Sequence, residues 1–524
     1  MTSAASPRVL IIGLDGADWS LLKPLMDDGA MPALRALVEQ GASATLESVR
    51  PTNSMSAWTS LMTGVNPAKH GVFDFVRKSK TPYQTSVTNS SAIRFPTMWE
   101  TLSGAGMASC VIDMPPLYPP YAVENVVMIG GIGAMTAAGR AYASPADAAK
   151  RVEDAVGAFL PDVAWVGKSG QQEQLLEELI TLVDNRRQVT EFFLADRPWD
   201  VLCSVFVAPD RVQHVFWQDL TERGAHYSAA RRFYVKLDEA LAQLLDRIDT
   251  TTTDVFVVSD HGFRPSRRTF EVSQFLLETL KEGRGWEVGL GMPMLRFIGL
   301  HVPLPRGMQR GLIDMNGKLR RRALVGLPAY SDTSDAVYVN LAGRETSGNV
   351  PQERYDKVRE LVERELLAFR DPRNGQPVVR RVIPREEYFH GEHAGEAPDL
   401  LLEFHDGYSH GSLMGAVLFD WPYCQGVHSL SGIVAAVGPH IRSGTEASTV
   451  SIMDVAPTVL SLLGVAAPEG VDGRPAESLL AGPVEAGARV PGMQPARRAE
   501  EPSAYSEEEE ALVRERLRGL GYIE

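Results

Sequence analysis

Short, continuous apolar runs recur along the chain at 8–14 (RVLIIGL), 108–114 (ASCVIDM), 200–208 (DVLCSVFVA), 254–259 (DVFVVS) and 432–437 (GIVAAV). Runs of this length without polar alternation predict strands covered on both faces, as inside a parallel sheet. Between them, 19–40, 97–102, 147–159, 172–194 and 227–248 carry apolar residues at helical spacing, with 19–40 read as one crossover helix. Strand and helix signals in alternation predict an α/β fold. The run 454–463 reads as a further helix, stopped by Gly464 with Pro468 beyond.

From 263 to 425 the pattern loosens into Gly, Pro, apolar pieces and basic residues (Arg267, Arg268, Arg284, Arg306, Arg310, Arg320, Arg321, Arg322), with a helix expected near 353–369 and a strand at 399–404. The expected organisation is therefore a core in two parts, 1–262 and 426–483, around a cap or insertion at 263–425. Residues 484–524 form a linker and a helical tail with an acidic start and a basic end, which suits the helix dipole and a role in docking or oligomer contact. The basic clusters of the cap either steer an anionic substrate or form ordinary solvated surface.

Composition narrows the function. A formal charge of -14 over 524 residues excludes a nucleic-acid surface, which needs clustered Lys and Arg. Cys110, Cys203 and Cys424 are too few and scattered for a disulfide framework or a sulfur-ligated metal. No apolar stretch reaches the roughly 18 residues of a membrane span, and no basic leader precedes the first run. A cytoplasmic location is the expectation.

The candidate chemistry sits where the runs end. Asp15 follows the first run, Asp210 and His214 follow the third, Asp260 and His261 follow the fourth, and His428 precedes the fifth. Open α/β sheets place sites at the carboxyl ends of their strands. Asp210 and His214 are four apart and share a helix face if helix begins after Pro209. Three carboxylates and three imidazoles suit two divalent metals of borderline softness, zinc above all. The stretch 50–71 (RPTNSMSAWTSLMTGVNPAKHG) places several hydroxyls at a loop-to-helix junction, a setting for an activated nucleophile as well as for an ordinary N-cap.

Taken together, LIIGLDG, PTNSMSAWTSLMTGVNPAKHGV, PDRVQH, VVSDHGF, GVHS and IMDVAPTVLSLLGVAAPEGVDGRP resemble the alkaline phosphatase superfamily, and within it the type I phosphodiesterase and nucleotide pyrophosphatase group. The resemblance implies a three-layer α/β/α sandwich with a mostly parallel central sheet and a cap insertion. It implies one metal held by Asp210, His214 and His428 and a second held by Asp15, Asp260 and His261, zinc first and manganese as the alternative. The nucleophile of the related pattern lies nine positions before the Thr of the Thr-Gly pair, which selects Ser54 over Thr52 and Ser56. Asn53 and the Ser54 amide are then placed to contact a substrate oxygen. Three carboxylates and a Ser alkoxide balance two divalent ions, so an anionic ester meets a near-neutral site.

The implied activity is metal-dependent hydrolysis of a phosphodiester or pyrophosphate bond in a small, nucleotide-like substrate through a phospho-serine intermediate. One position departs from the pattern: Phe75 stands where this group usually has an Asn after the His-Gly pair, and Arg77, Lys78 or Lys80 would substitute for its hydrogen bond. A phosphomonoesterase or phosphonate hydrolase is the alternative within the superfamily, and a non-catalytic phospho-ligand-binding protein the alternative outside catalysis.

Overall fold

Strand Arg8–Leu14 lies inside a large sheet and is buried along its whole length beyond Arg8. The computed structural model describes residues 8–78, 85–131, 142–163, 170–196, 198–280, 326–331, 334–411, 416–483, 493–495 and 507–519. Lys80, Arg284, Arg306, Arg310, Arg320, Arg321, Arg322 and most of the expected linker fall outside them.

Across the sheet the order is Thr445–Glu446, Ala42–Glu47, Ser431–Val437, Thr253–Val258, Arg8–Leu14, Val201–Phe206, Ser109–Met114, Val126–Gly130 and Ala143–Ser144. The five strands from Thr253–Val258 to Val126–Gly130 are parallel, and Ser431–Val437 runs antiparallel to both neighbours. This is the expected mostly parallel sheet. Register decides where the chemistry goes. Leu14 pairs with Phe206 and Gly13 with Val258, so the residues that follow, Asp15, the turn into Asp210, and Asp260, leave the sheet at one edge.

The segment 19–40 is two helices, Trp19–Asp27 and Pro32–Gln40, rather than one. Pro32 opens the second helix, a position where its missing N–H costs nothing and its fixed φ suits the first turn. Gly29, at φ +79°, takes the left-handed turn between the two.

A three-stranded sheet of Gly407–Gly411, Gly262–Glu271 and Leu418–Ser429 continues directly from His261. Beside it, strands Ala329–Tyr330, Ala336–Val339, Leu400–Phe404 and Val379–Pro384 and helix Tyr355–Ala368 enclose a separate apolar cluster containing Phe270, Val337, Val362 and Leu366. Arg267 pairs with Glu222, and Arg268 with Asp371 and Asp420. These two basic residues are thus matched by local acids. The tail helix Glu507–Gly519 docks on its own chain: Val513 and Leu517 are buried in the main core, and Glu510 accepts the Val87 N–H at 3.2 Å. Among the described residues no helix is long and apolar enough to cross a membrane.

Candidate active site

Helix Ser54–Thr63 opens at the sheet edge beside Asp15, and Gly13 is what admits it. A Cβ on Gly13 would stand 2.6 Å from the Trp58 ring, which is wholly buried and sends its indole N–H toward Asp15 Oδ2 at 3.4 Å. Asn53 caps the helix: its Oδ1 accepts the Ser56 N–H at 3.0 Å, while Nδ2 donates to the Phe73 carbonyl at 2.9 Å and to that of Pro51 at 3.3 Å. Both amide hydrogens are committed, so the Asn53 side chain builds the turn and has no donor left for a substrate oxygen. Ser54 is the first helical residue and fully buried. Its Oγ lies 3.4 Å from Asp15 Oδ1 and 3.3 Å from His261 Nε2.

Asp15 and His261, which touch that hydroxyl, belong to a group of six side chains from four stretches of chain. The antiparallel pair Phe263 and His428 sets His428 over His261, with ring centroids 3.7 Å apart. Helix Ala208–Glu222 carries Asp210 and His214 one turn apart. Each imidazole has its Nδ1 against a carbonyl: His214 on Gly426 at 3.1 Å, His428 on Thr52 at 3.1 Å and His261 on Gly262 at 3.2 Å. A carbonyl only accepts, so Nδ1 carries the proton in all three and Nε2 is left as the ligand atom. The three Nε2 atoms converge on Asp210 Oδ1, at 3.2 Å from His428, 3.5 Å from His214 and 4.0 Å from His261. Those of His214 and His428 are 3.0 Å apart. His261 Nε2 also stands 3.8 Å from Asp15 Oδ1 and 3.3 Å from Asp260 Oδ2.

The donor set fits divalent cations. Asp260 is fully buried, its Oδ1 accepts the Gly16 N–H at 3.1 Å, and its Oδ2 has no hydrogen-bond partner. Two clusters have ligand atoms within 4.8 Å of one another: Asp210 with His214 and His428, and Asp15 with Asp210 and His261. Asp210 thus belongs to both groupings, where the resemblance divides the six residues three and three.

Electrostatics point the same way. Burial first, then the charges of Asp260 and Asp210, push Asp15 well above the usual carboxylate range. Burial also raises Asp260, to about 7, with Asp210 adding and the Gly16 N–H opposing. Burial works against Asp210 as well, but its contacts to His214, His428 and Arg211 outweigh it and hold that carboxyl well below its ordinary value. Carboxylates packed this closely ionise together when a multivalent cation joins them.

Arg77 sits on the ribbon of Val76–Lys78 and Thr85–Val87, where its Nε donates to Ser86 Oγ at 3.1 Å and its side chain faces solvent. That bond lies within the ribbon and goes to none of the Asp/His group. Phe75 is buried in the main core.

Sequence reasoning passed over several supporting residues. Asp18 accepts the Phe263 N–H at 3.1 Å, tying the first strand's turn to the start of Gly262–Glu271. Gly262 is obligatory there, since a Cβ would lie 2.0 Å from the Ser431 carbonyl oxygen. Gln213 donates to the Gly16 carbonyl at 2.6 Å, and Arg211 pairs with Asp210. Gly262 is already legible as the turn after Asp260 and His261, and it lies inside the motif VVSDHGF as Arg211 and Gln213 lie inside PDRVQH. The contacts made by Asp18, Arg211 and Gln213 are identified only by proximity in the fold.

A second serine and histidine pair on the same segment is structural. His70 Nδ1 accepts the Val72 N–H at 3.1 Å, so the proton is on Nε2 and is donated to Ser60 Oγ at 2.9 Å. An imidazole in that tautomer cannot take a proton from Ser60. Burial, helped by the charge of His393, pushes His70 down to about 3. The unfolded chain therefore binds the proton first, and stability is full above about pH 6.5 and lost as pH falls toward 3. Between pH 7 and 5 the wild type is expected to lose about 2 kcal/mol more than His70→Gln in urea unfolding. Equal losses in the two proteins would refute the assignment.

The sequence profile described as Type I phosphodiesterase / nucleotide pyrophosphatase matches residues 9–425. The chain belongs to this family. As a member it is a hydrolase of phosphodiester or pyrophosphate bonds, with an Asp/His cluster suited to divalent metal. His428 lies beyond the matched span, yet the fold delivers it to the cluster. Among solved structures, human ectonucleotide pyrophosphatase / phosphodiesterase 5 is similar at 15% identity and TM-score 0.54, covering 91% of this chain and 100% of that one. The inactive murine counterpart in complex with AMP is similar at 15% identity and TM-score 0.53, covering 90% of this chain and 100% of that one. At that identity the likeness is one of fold, the alkaline-phosphatase-like arrangement expected from the sequence. No curated protein matches the chain in sequence.

Proposed function

We propose that this family member cleaves phosphodiester or pyrophosphate bonds of a small nucleotide-like substrate with Ser54 as nucleophile. The observation that carries the reading is Ser54 Oγ, buried at a helix N-terminus within 3.4 Å of Asp15 and 3.3 Å of His261. Two divalent ions, zinc by the nitrogen and oxygen donor set with manganese as the alternative, would be held by Asp15, Asp210, His214, Asp260, His261 and His428 and would supply Lewis-acid stabilisation of phosphoryl oxygens.

The chain's own residues do the rest. Asp15 holds the Ser54 hydroxyl proton, and the first-turn amides of the helix face the anion that develops. Asn53 locks the turn that aims Ser54, which makes it a positioning residue. Attack forms an Oγ–P bond as the P–O bond to the leaving alcohol or phosphate breaks, and that leaving group departs with the serine proton; water then cleaves the phospho-serine, restoring the hydroxyl and releasing the phosphorylated product. Support for a nucleotide-like substrate comes from the AMP bound by the murine neighbour.

The substrate class is tested on wild-type protein with bis(p-nitrophenyl) phosphate, p-nitrophenyl phosphate and a dinucleotide. The diester and the dinucleotide are expected to exceed the monoester in kcat/KM by at least about tenfold, a difference of some 1.4 kcal/mol in transition-state binding. A monoester preference would overturn the diesterase reading in favour of a phosphomonoesterase.

A further inference from the structure

Behind the carboxylates runs a row of buried charges of alternating sign. Arg211, 2% exposed, donates from Nη1 to Asp210 Oδ2 at 2.8 Å and from Nη2 to Asp162 Oδ2 at 2.9 Å. Further back, Arg186 pairs with Asp113, both fully buried, and donates to the Leu160 carbonyl at 3.1 Å. Arg211 stands in the first turn of helix Ala208–Glu222, where the dipole disfavours a cation and burial disfavours it further. A guanidinium placed there needs a compensating role, and its two carboxylate partners define one.

A carboxylate offers two oxygens, and Arg211 takes Oδ2 of Asp210. The other oxygen, Oδ1, is the one that all three imidazole Nε2 atoms approach, at 3.2 to 4.0 Å. Asp210 is also the residue common to both donor clusters. Released from Arg211, the carboxylate would rotate and no longer hold Oδ1 at the point that the three imidazoles approach and that both clusters share. We propose that Arg211, held from behind by Asp162, is a positioning residue that confines Asp210 to a one-oxygen role and thereby sets the divalent-ion affinity of both clusters together. The inference rests on the reading of Asp210 as a metal ligand.

The test is competition between purified full-length protein and a chromophoric chelator, with Zn2+ and Mn2+ as probes and thermal melting alongside. Arg211→Met removes the charge at similar length and should weaken both bound equivalents about 10- to 100-fold, the usual range for a lost outer partner of a metal ligand. Arg211→Lys should fall between the two, because one ammonium cannot span both carboxylates as a guanidinium does. Asp162→Asn should weaken binding in the same direction by less. A purely structural role would lower the melting temperature and leave the affinities alone, and that result overturns the proposal. Asp210→Asn separates the two levels: metal weakened there but not in Arg211→Met sinks the positioning role alone, and metal unchanged in both sinks the ligand reading with it. If Arg211→Met fails to fold, Arg211→Lys and Asp162→Asn decide, and wild-type affinity in both refutes the inference.

Discussion

Ser54→Ala is expected to lower kcat on bis(p-nitrophenyl) phosphate by at least about 10⁴-fold, the scale seen when a covalent nucleophile is removed. Bound metal and melting temperature should stay as in the wild type. One buried oxygen is lost, whereas the three carboxylates, the three imidazoles and the cap formed by Asn53 remain. Ser56→Ala is the matched control. Ser56 is equally buried on the same helix, but its Oγ contacts none of the cluster, and it points to another helix face. Its activity should stay within about tenfold of wild type. Turnover undiminished in Ser54→Ala, measured with metal content by elemental analysis, would remove Ser54 from the mechanism.

Asp260→Asn should cost at least one equivalent of bound metal and about 10³-fold in kcat/KM. The substitution is close to isosteric. Asn keeps an acceptor for the Gly16 N–H, now made by Asp260 Oδ1, and puts an amide NH2 where Oδ2 stands 3.3 Å from His261 Nε2. That NH2 would donate to His261 and tie up a ligand nitrogen while removing the negative charge that binds a cation. The fold should tolerate the change, since burial already disfavours the charged form of Asp260. His214→Ala should likewise lower metal content by opening the cluster of Asp210, His214 and His428. Wild-type stoichiometry in both variants would discredit the ligand assignment.

Much of this arrangement could be read along the chain because strands buried on both faces leave a local mark. The apolar runs ending before Asp15 and Asp260 are the strands Arg8–Leu14 and Thr253–Val258, and parallel strands share a carboxyl edge, so the runs alone bring side chains hundreds of residues apart to one edge. Asp210 and His214 were paired by a four-residue spacing that helix Ala208–Glu222 realises. Local steric rules are harder to weigh against periodicity: the apolar pattern of 19–40 runs on through a segment where Gly29 turns the chain and Pro32 opens a second helix, although Pro24 is held inside the first.

Where an interaction depends on a partner's orientation, the sequence is silent. Asn53 beside Ser54 and Arg77 after the His-Gly pair were both plausible substrate contacts by position. In the fold one spends its amide on the turn, and the other makes its hydrogen bond across a ribbon. Arg211, between two recognised residues, gave no signal because burial of a cation is invisible without the acids that pack on it.

The sequence by itself determined the α/β class and the six metal-ligand candidates, which follow from residue type, spacing and the period of burial, while Ser54 and the phosphoryl chemistry came from the resemblance of its motifs to a known family. Only the tertiary structure decided that Asp210 joins both clusters, that each imidazole presents Nε2, and that Arg211 stands behind the site. Those outcomes depend on distances of about 3 Å between atoms far apart in the chain, set by strand register and helix packing.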